Sequence, residues 1–187
     1  MYTVNTGEKN PPRTDIKCYT EDKLGNPHYS SRLYKMLSHI YDPGEWSVYI
    51  DSNIFLPDGM EERLIEEVKK SGKDIGVFIH PERDCVYEEA DMVLKLGKDT
   101  RENLKLSTDF YRSIGFPAHG GLAACGIIVR HHTEEIKRLN ERWWAEVCAR
   151  SKRDQMSFPY VFKDAHYFLS NIGNFFQFKR YRNSRYD

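Results

Sequence analysis

Short strand-like runs alternate with amphipathic helical patterns along this chain, and that alternation limits its fold more than any other feature of the sequence. Residues 2–4, 16–19, 46–50, 75–79 and 126–129 are rich in β-branched and aromatic side chains. Strands separated by helices are typical of proteins in which the helices cover a sheet. The sequence therefore predicts an α/β fold.

Apolar residues recur at helical spacing in the segments between these runs. The clearest pattern covers residues 134–149, where Thr133 stands at the N-cap position and two glutamates follow in the first turn. Within it, we interpret Trp143 and Trp144 as residues of the core rather than as rings that stack on a ligand. The same reasoning predicts helices over residues 30–39, 61–70 and 100–114.

No internal repeat, low-complexity tract or flexible linker divides the 187 residues. We therefore predict a single domain over residues 1–187, with a C-terminal tail over residues 175–187 that is basic from Lys179 to Arg185. We interpret this tail as a solvated extension rather than as a segment that folds over a bound ligand. The 28 basic and 28 acidic residues give a formal net charge of zero. That balance argues against a nucleic-acid partner bound through bulk positive charge.

The sequence contains no apolar run near the roughly 20 residues that a membrane-spanning helix needs, and no signal-peptide pattern follows Met1. Its four cysteines are far apart and form no CxxC pair. These features predict a cytoplasmic chain with free thiols and no membrane span.

Two oxygen-bearing side chains, Asp51 and Asn53, follow the predicted strand at residues 46–50. Continued strand geometry would point both side chains to the same side of the sheet. Ligands of open α/β sheets bind beyond the carboxyl ends of the strands, where oxygen ligands suit Mg²⁺ or Mn²⁺. Two interpretations stay open here: a divalent metal site, or a turn in which both side chains accept backbone hydrogen bonds.

Two further polar segments carry residues suited to chemistry. Asp154 lies between apolar elements and could act as a general base, with Arg153 and Gln155 orienting it or the substrate. The alternative is an ion pair of Arg153 and Asp154 at a helix end. Arg83, which follows the predicted strand at residues 75–79, could hold an anion through two parallel hydrogen bonds.

Several of these segments form an ordered pattern over most of the chain. They are residues 2–7, 18–22, 31–35, 49–54, 80–90, 126–131, the Trp143–Trp144 pair and residues 153–161. Together they resemble a family of small GT-A-type glycosyltransferase domains. The resemblance implies a single GT-A-like, Rossmann-like domain with a mixed, mostly parallel sheet flanked by helices. It also implies sugar transfer from a nucleotide-sugar donor, a UDP- or GDP-sugar, to a hydroxyl of a glycan or glycoprotein acceptor.

The same resemblance implies roles for the acidic segments. Asp51-Ser52-Asn53 stands where GT-A enzymes carry the Asp-x-Asp motif that holds the Mn²⁺ or Mg²⁺ of the donor diphosphate, although Asn53 replaces the second acid. His166 is a candidate further metal ligand. Asp154 resembles the base of an inverting transferase, which takes the proton of the acceptor hydroxyl as its oxygen attacks the anomeric carbon.

By the same analogy, residues near the amino terminus are expected to contact the donor nucleotide. Thr3, Thr6 and Asp22 would lie near the nucleoside. Arg32 and Lys35 would approach the ribose or the diphosphate, which agrees with the preference of cationic side chains for phosphate.

Two other functions compete with this interpretation. Residues 49–56 also resemble the opening strand of PIN-type metal-dependent nucleases, but the spaced later acids that such enzymes need for their metals are not recognisable. A GT-A-like domain that binds nucleotide or glycan without turnover is the other alternative, and Asn53 is consistent with it.

Overall fold

Strands and helices alternate along the computed structural model of the chain, which describes residues 1–7, 12–170 and 177–178. The strands are β1 (Tyr2–Val4), β2 (Lys17–Tyr19), β3 (Trp46–Ile50), β4 (Ile54–Phe55), β5 (Ile75–Ile79), β6 (Ala123–His131), β7 (His166–Phe168) and β8 (Gln177–Phe178). The helices are α1 (Pro27–Met36), α2 (Ser38–Tyr41), α3 (Met60–Ser71), α4 (Val86–Lys95), α5 (Arg101–Ser113), α6 (Glu134–Ala149) and α7 (Asp154–Val161).

Six strands form the main sheet, in the order β2-β1-β3-β6-β5-β7. Five of them run in one direction, and β6 is antiparallel to its neighbours β3 and β5. The predicted mixed, mostly parallel sheet flanked by helices is therefore confirmed. Because β6 runs the other way, its first residues lie beside the carboxyl ends of β3 and β5, while β4 and β8 form a separate two-stranded sheet.

Side chains alternate between the two faces of the sheet and build two parts of the core. Tyr49 and Ile128 lie in the part that includes residues of α1, α6 and α7. Val48 and Ile50 lie in the other part, together with Leu64 and Val68 of α3. A third cluster joins α4 and α5 to Leu122, just before β6, and to α7. The sheet is thus covered on both faces, and its edge at the carboxyl end of β3 is left for polar groups.

Helix α6 confirms the clearest helical pattern of the sequence. It begins after Thr133, whose side chain accepts a hydrogen bond from the backbone N–H of Ile136. Trp143 is fully buried, and its ring packs edge-on against Phe158 and Phe162 with centroids 5.2 and 5.5 Å away. The interpretation of Trp143 as a core residue is therefore confirmed.

Helix α7 was not predicted, because its residues show no amphipathic spacing. Six of its eight residues are buried, including Met156, Phe158 and Pro159. A helix that is buried on nearly all sides gives no helical period of apolar and polar residues to recognise. Its first residue, Asp154, is buried as well, so the helix itself carries a predicted site residue into the interior.

Three predictions concern the chain as a whole. The four cysteines are free. None of the helices in the described ranges is both long and apolar enough to cross a membrane. The predicted basic tail, residues 175–187, falls outside the described residues except for β8.

Candidate active site

A polar cleft of about 120 Å³ opens where β3 ends, β6 begins and α1 approaches the start of α7. Four of the predicted site residues are brought together in it, although they come from three distant parts of the chain. The residues that line it are Arg32, Lys35, Asp51, Cys125, Gly126, Arg153, Asp154 and Gln155.

Lys35 lies at the centre of this cleft and is only 2 % exposed. Its ammonium nitrogen is 2.5 Å from Oδ2 of Asp154 and 3.5 Å from Oδ1 of Asp51. The same nitrogen lies 4.7 Å from the ring centroid of Tyr49, a distance that fits a cation–π contact. One buried positive charge therefore joins the two carboxylates that the sequence singles out.

Asp154 is paired with two cations. Besides the contact with Lys35, its Oδ1 lies 3.4 Å from Nη2 of Arg32. Burial alone would raise the pKa of Asp154, but Arg32 and Lys35 hold it well below its usual range. Burial likewise opposes the charge of Arg32, yet the neighbouring carboxylate raises the pKa of that guanidinium. Both groups are charged in this arrangement.

Asp51 follows β3 directly and is oriented by its neighbours in the sheet. The hydroxyl of Tyr49, two residues earlier in the chain, donates to Oδ1 of Asp51 at 2.7 Å. The backbone N–H of Asp51 donates to the carbonyl of Gly126 at 2.8 Å. A Cβ atom at Gly126 would lie 3.4 Å from Oδ2 of Asp51 and 3.0 Å from Ile54, so a glycine lets β6 approach the carboxylate closely.

The segment that leads into Asp154 is held by α1 and by a residue that the sequence did not indicate, Asp99. The carbonyl of Lys152 lies 3.3 Å from Nε2 of His28 and accepts a hydrogen bond from Nε of Arg32 at 3.4 Å. Oδ2 of Asp99 accepts hydrogen bonds from the hydroxyl of Ser151 and the N–H of Lys152, at 2.7 and 3.0 Å. These contacts fix the backbone just before the buried carboxylate.

Arg130 of β6 is a second residue that sequence reasoning missed. It is fully buried, and its guanidinium donates to the carbonyls of Lys35 and Met36 at 2.7 and 3.2 Å. It therefore satisfies carbonyl groups at the carboxyl end of α1 and holds the turn that carries Lys35. The available signal was a charged residue inside an otherwise apolar strand.

Three residues expected near the nucleoside do not line this cleft. Oδ1 of Asp22 accepts hydrogen bonds from the N–H of Asn26 and the hydroxyl of Ser30, at 2.9 and 2.6 Å. Thr6 donates to the carbonyl of Pro27 at 2.5 Å. Thr3 is buried, with its hydroxyl unpaired in the described structure. Asp22 and Thr6 thus hold the start of α1, and their contact with a nucleoside stays a prediction.

Arg83 and Asn53 also lie outside the cleft. Arg83 donates to Glu89 and Glu82, at 2.8 and 2.9 Å, so this guanidinium already holds two carboxylates of its own chain. Asn53 is exposed because β3 ends at Ile50 and the chain turns, with the N–H of Ile54 bonded to the carbonyl of Asp51. The expectation that Asp51 and Asn53 continue the alternation of the strand is therefore wrong.

His166 lies at the other end of the sheet. In the sheet, His166 is level with Ile75 of β5, and Ile75 is level with Arg130 of β6. Asp51 instead lies beside Gly126 of β6, to which its N–H is hydrogen-bonded. Four residues along β6 correspond to about 13 Å. Nδ1 of His166 lies 2.8 Å from the carbonyl of Phe162. The structure therefore does not bring His166 to Asp51 as a shared metal ligand.

The residues of the cleft do not fit the divalent cation that the resemblance implies. Mg²⁺ and Mn²⁺ need several oxygen ligands, yet both carboxylates already contact the ammonium of Lys35. Within the described ranges, no cluster of three possible metal-ligating side chains includes either acid. The cluster that does occur is Asp84, Glu88 and His119, all exposed and outside the cleft.

Cys125 is the thiol of the cleft. Burial raises its pKa above the ordinary range, so the sulfur stays protonated at neutral pH. A protonated, buried thiol is a poor nucleophile. The reactive groups of the cleft are therefore its carboxylates and cations.

Two solved structures are similar to this chain, and one of them reaches a TM-score above 0.5. An apo structure titled as the WbbM bifunctional glycosyltransferase superposes with a TM-score of 0.53 at 12 % identity, over 85 % of this chain and 29 % of that one. An apo structure of mouse xyloside xylosyltransferase 1 gives a TM-score of 0.46 at 13 % identity, over 83 % of this chain and 64 % of the other. The chain thus spans less than two thirds of either protein, and the likeness to WbbM supports a GT-A-like fold.

Sequence comparison gives the family. No curated protein sequence matches the chain. Residues 19–184 match the family described as TOD1/MUCI70, glycosyltransferase-like domain. This match includes every residue that lines the cleft and covers almost the whole chain, which therefore belongs to the TOD1/MUCI70 glycosyltransferase-like domain family.

Proposed function

We propose that this chain is a glycosyltransferase that moves a sugar from a nucleotide-sugar donor to a hydroxyl of a glycan or glycoprotein acceptor. The observation that carries the proposal is the convergence of Asp51 and Asp154 on the ammonium of Lys35 in one cleft. The cleft lies beyond the carboxyl end of β3, the edge at which open α/β sheets bind ligands.

The cations of the cleft suit the leaving group of such a reaction. Departure of the nucleoside diphosphate leaves negative charge on a phosphate oxygen, and fixed positive groups stabilise that charge. The cleft is lined by three cationic side chains, Arg32, Lys35 and Arg153, together with the carboxylates of Asp51 and Asp154. We assign the diphosphate of a UDP- or GDP-sugar to these three side chains.

Asp154 is the group we assign as general base. Its ion pairs with Arg32 and Lys35 make it a weak base before substrate binds, because they hold its pKa low. A diphosphate competes for the same two cations, and weaker pairing restores basicity to the carboxylate. Asp154 then takes the acceptor proton while the acceptor oxygen displaces the diphosphate directly, with inversion at the anomeric carbon.

A second candidate function is nucleotide-sugar binding without turnover. The double ion pair of Asp154 favours it, since a carboxylate held by two cations has both oxygens occupied. The nuclease alternative has no such support, because the fold and the family are those of glycosyltransferase-like domains.

The test compares wild type with Asp154→Asn, using Asp91→Asn at an exposed position of α4 as the matched control. Each protein is incubated with UDP- and GDP-sugars, with and without acceptor glycans, and released nucleotide is measured. Loss of a general base lowers turnover by about 10²-fold or more. Nucleotide binding, followed by calorimetry, should stay unchanged or tighten in Asp154→Asn, because Lys35 and Arg32 lose a competing carboxylate.

The outcomes separate the two functions. Turnover in wild type and Asp91→Asn that disappears in a folded Asp154→Asn supports the transferase. Binding without turnover in all three proteins supports the second candidate. If Asp154→Asn turns over at the wild-type rate, Asp154 is not the base. The anomeric proton signal of the product, observed by NMR, tests inversion directly.

A further inference from the structure

The ammonium of Lys35 occupies the position between two carboxylates that a metal ion would need. It contacts Oδ2 of Asp154 at 2.5 Å and Oδ1 of Asp51 at 3.5 Å. With 2 % of its surface exposed, this lysine is a buried charge. The charge that balances both acids is therefore supplied by the chain itself.

Few oxygen ligands remain in the cleft for a divalent cation. Oδ1 of Asp51 already accepts the hydroxyl of Tyr49 at 2.7 Å in addition to contacting Lys35. Asn53, the other member of the expected motif, is exposed and outside the cleft. A divalent ion on Oδ2 of Asp51, whose side chain is 43 % exposed, would stand close to the ammonium of Lys35, and the two like charges would repel.

The cleft has positive charge left for an anion after its own acids are balanced. Three cations, Arg32, Lys35 and Arg153, face two carboxylates. The Nε–H of Arg153 is buried with no hydrogen-bond partner in the described structure. An ammonium on a flexible four-carbon stem can turn from a carboxylate to a phosphate, and guanidinium groups bind phosphate oxygens in pairs.

We propose that Lys35, supported by Arg32, takes the place of the divalent cation, so that this chain binds the diphosphate of its nucleotide without a metal. The inference rests on the proposed nucleotide-sugar donor. It assigns to Lys35 direct contact with the phosphate oxygens and to Asp51 the role of holding the lysine rather than a metal ion.

The first experiment uses the wild-type chain. UDP, GDP and inorganic pyrophosphate are titrated by calorimetry, once with EDTA and once with Mn²⁺. We expect at least one probe to bind with dissociation constants that agree within about twofold in the two buffers. Binding that needs Mn²⁺, or that Mn²⁺ tightens by about tenfold or more, overturns the role of Lys35 and leaves the proposed function standing. Failure of all three probes in both buffers refutes the proposed donor class itself.

The second experiment replaces the cation. Lys35→Ala leaves two carboxylates facing an emptied space, so we expect this variant to bind Mn²⁺, followed by the electron paramagnetic resonance of the free ion. Its affinity for the nucleotide should fall by about tenfold or more in EDTA and recover in part with Mn²⁺. Lys35→Arg keeps the charge and should gain no Mn²⁺ binding. If Lys35→Ala folds and its affinities for Mn²⁺ and for the nucleotide equal those of wild type, the proposal is contradicted. If this variant does not fold, the first experiment, on the wild-type chain, decides alone.

Discussion

Replacing Asp99 with asparagine should destabilise the protein and loosen the segment before Asp154. The carboxylate of Asp99 accepts four hydrogen bonds. Its Oδ1 accepts the N–H of Thr100 and the amide of Asn103, at 2.8 and 3.0 Å, and its Oδ2 accepts those of Ser151 and Lys152. Each oxygen thus faces one backbone N–H, which cannot turn away. The side-chain amide of an asparagine at this position can take two orientations. In each of them its NH₂ group, a donor, faces one of these backbone N–H donors, and that hydrogen bond is lost.

The magnitude follows from this geometry. Two of the four bonds are lost, and at the lower end of the roughly 1.5–3 kcal/mol that a hydrogen bond to a charged group contributes, the free energy of unfolding should fall by about 3 kcal/mol. For a chain of this length, that loss lowers the melting temperature by about 6–12 °C. Denaturant unfolding with an unchanged m-value would measure the free energy, and Asp91→Asn, an exposed acid on α4, serves as the matched control.

The pH dependence gives a second measurement of the same interaction. Burial alone would raise the pKa of Asp99, but the hydrogen bonds from Ser151, Asn103 and two backbone N–H groups lower it. A carboxyl group whose pKa is lowered by folding stabilises the protein above its unfolded pKa of about 3.9 and loses that contribution as pH falls through the folded value. The difference in the free energy of unfolding between wild type and Asp99→Asn should have its largest value at pH 7 and decrease below about pH 4. A difference under about 0.5 kcal/mol at pH 7 would refute the reasoning.

Three further changes test the fold. Gly76→Ala places a Cβ atom in steric overlap with Cγ2 of Val68, so overpacking should lower the free energy of unfolding by about 1–3 kcal/mol, measured by denaturant unfolding. Asn26→Ala removes the side chain that caps α1 by accepting the backbone N–H groups of residues 28 and 29, and thermal unfolding should report a loss of about 1 kcal/mol. Burial lowers the pKa of His132 to about 4, below the unfolded value of about 6.5, so stability should fall as pH drops from 6.5 to about 4. His132→Gln should show a smaller fall over that pH window, and equal slopes for the two proteins would contradict the assignment.

The sequence was most informative where local periodicity and burial agree. The runs at residues 46–50 and 75–79 are strands β3 and β5 at the predicted bounds. Helix α6 has its predicted cap and apolar stripe. In contrast, the alternation assumed for Asp51 and Asn53 failed because the strand ends one residue before Asp51. Side-chain alternation holds only while the chain remains extended, and no local signal marked that end.

Long-range partners explain what else the sequence could not supply. Asp99 and Arg130 act on backbone groups of segments 53 to 95 residues away, so local spacing cannot suggest these partners. Both did leave a trace in the sequence, as an acid directly before the N-cap of α5 and a cation inside an apolar strand. Such traces indicate that a polar group will be buried, but they do not identify the group that satisfies it.

Arg32 and Lys35 show how far the reasoning can go at the site itself. They stand three residues apart on α1, and that spacing already places both cations on one face of a helix. The identity of the carboxylate they meet depends on a contact across 119 residues, which forms only when α1 packs beside the start of α7. Because burial without that partner would be costly for either cation, a paired carboxylate had to exist. The sequence spacing thus indicated two cations on one face, and the fold brings Asp154, with Asp51 beside it, to pair with them.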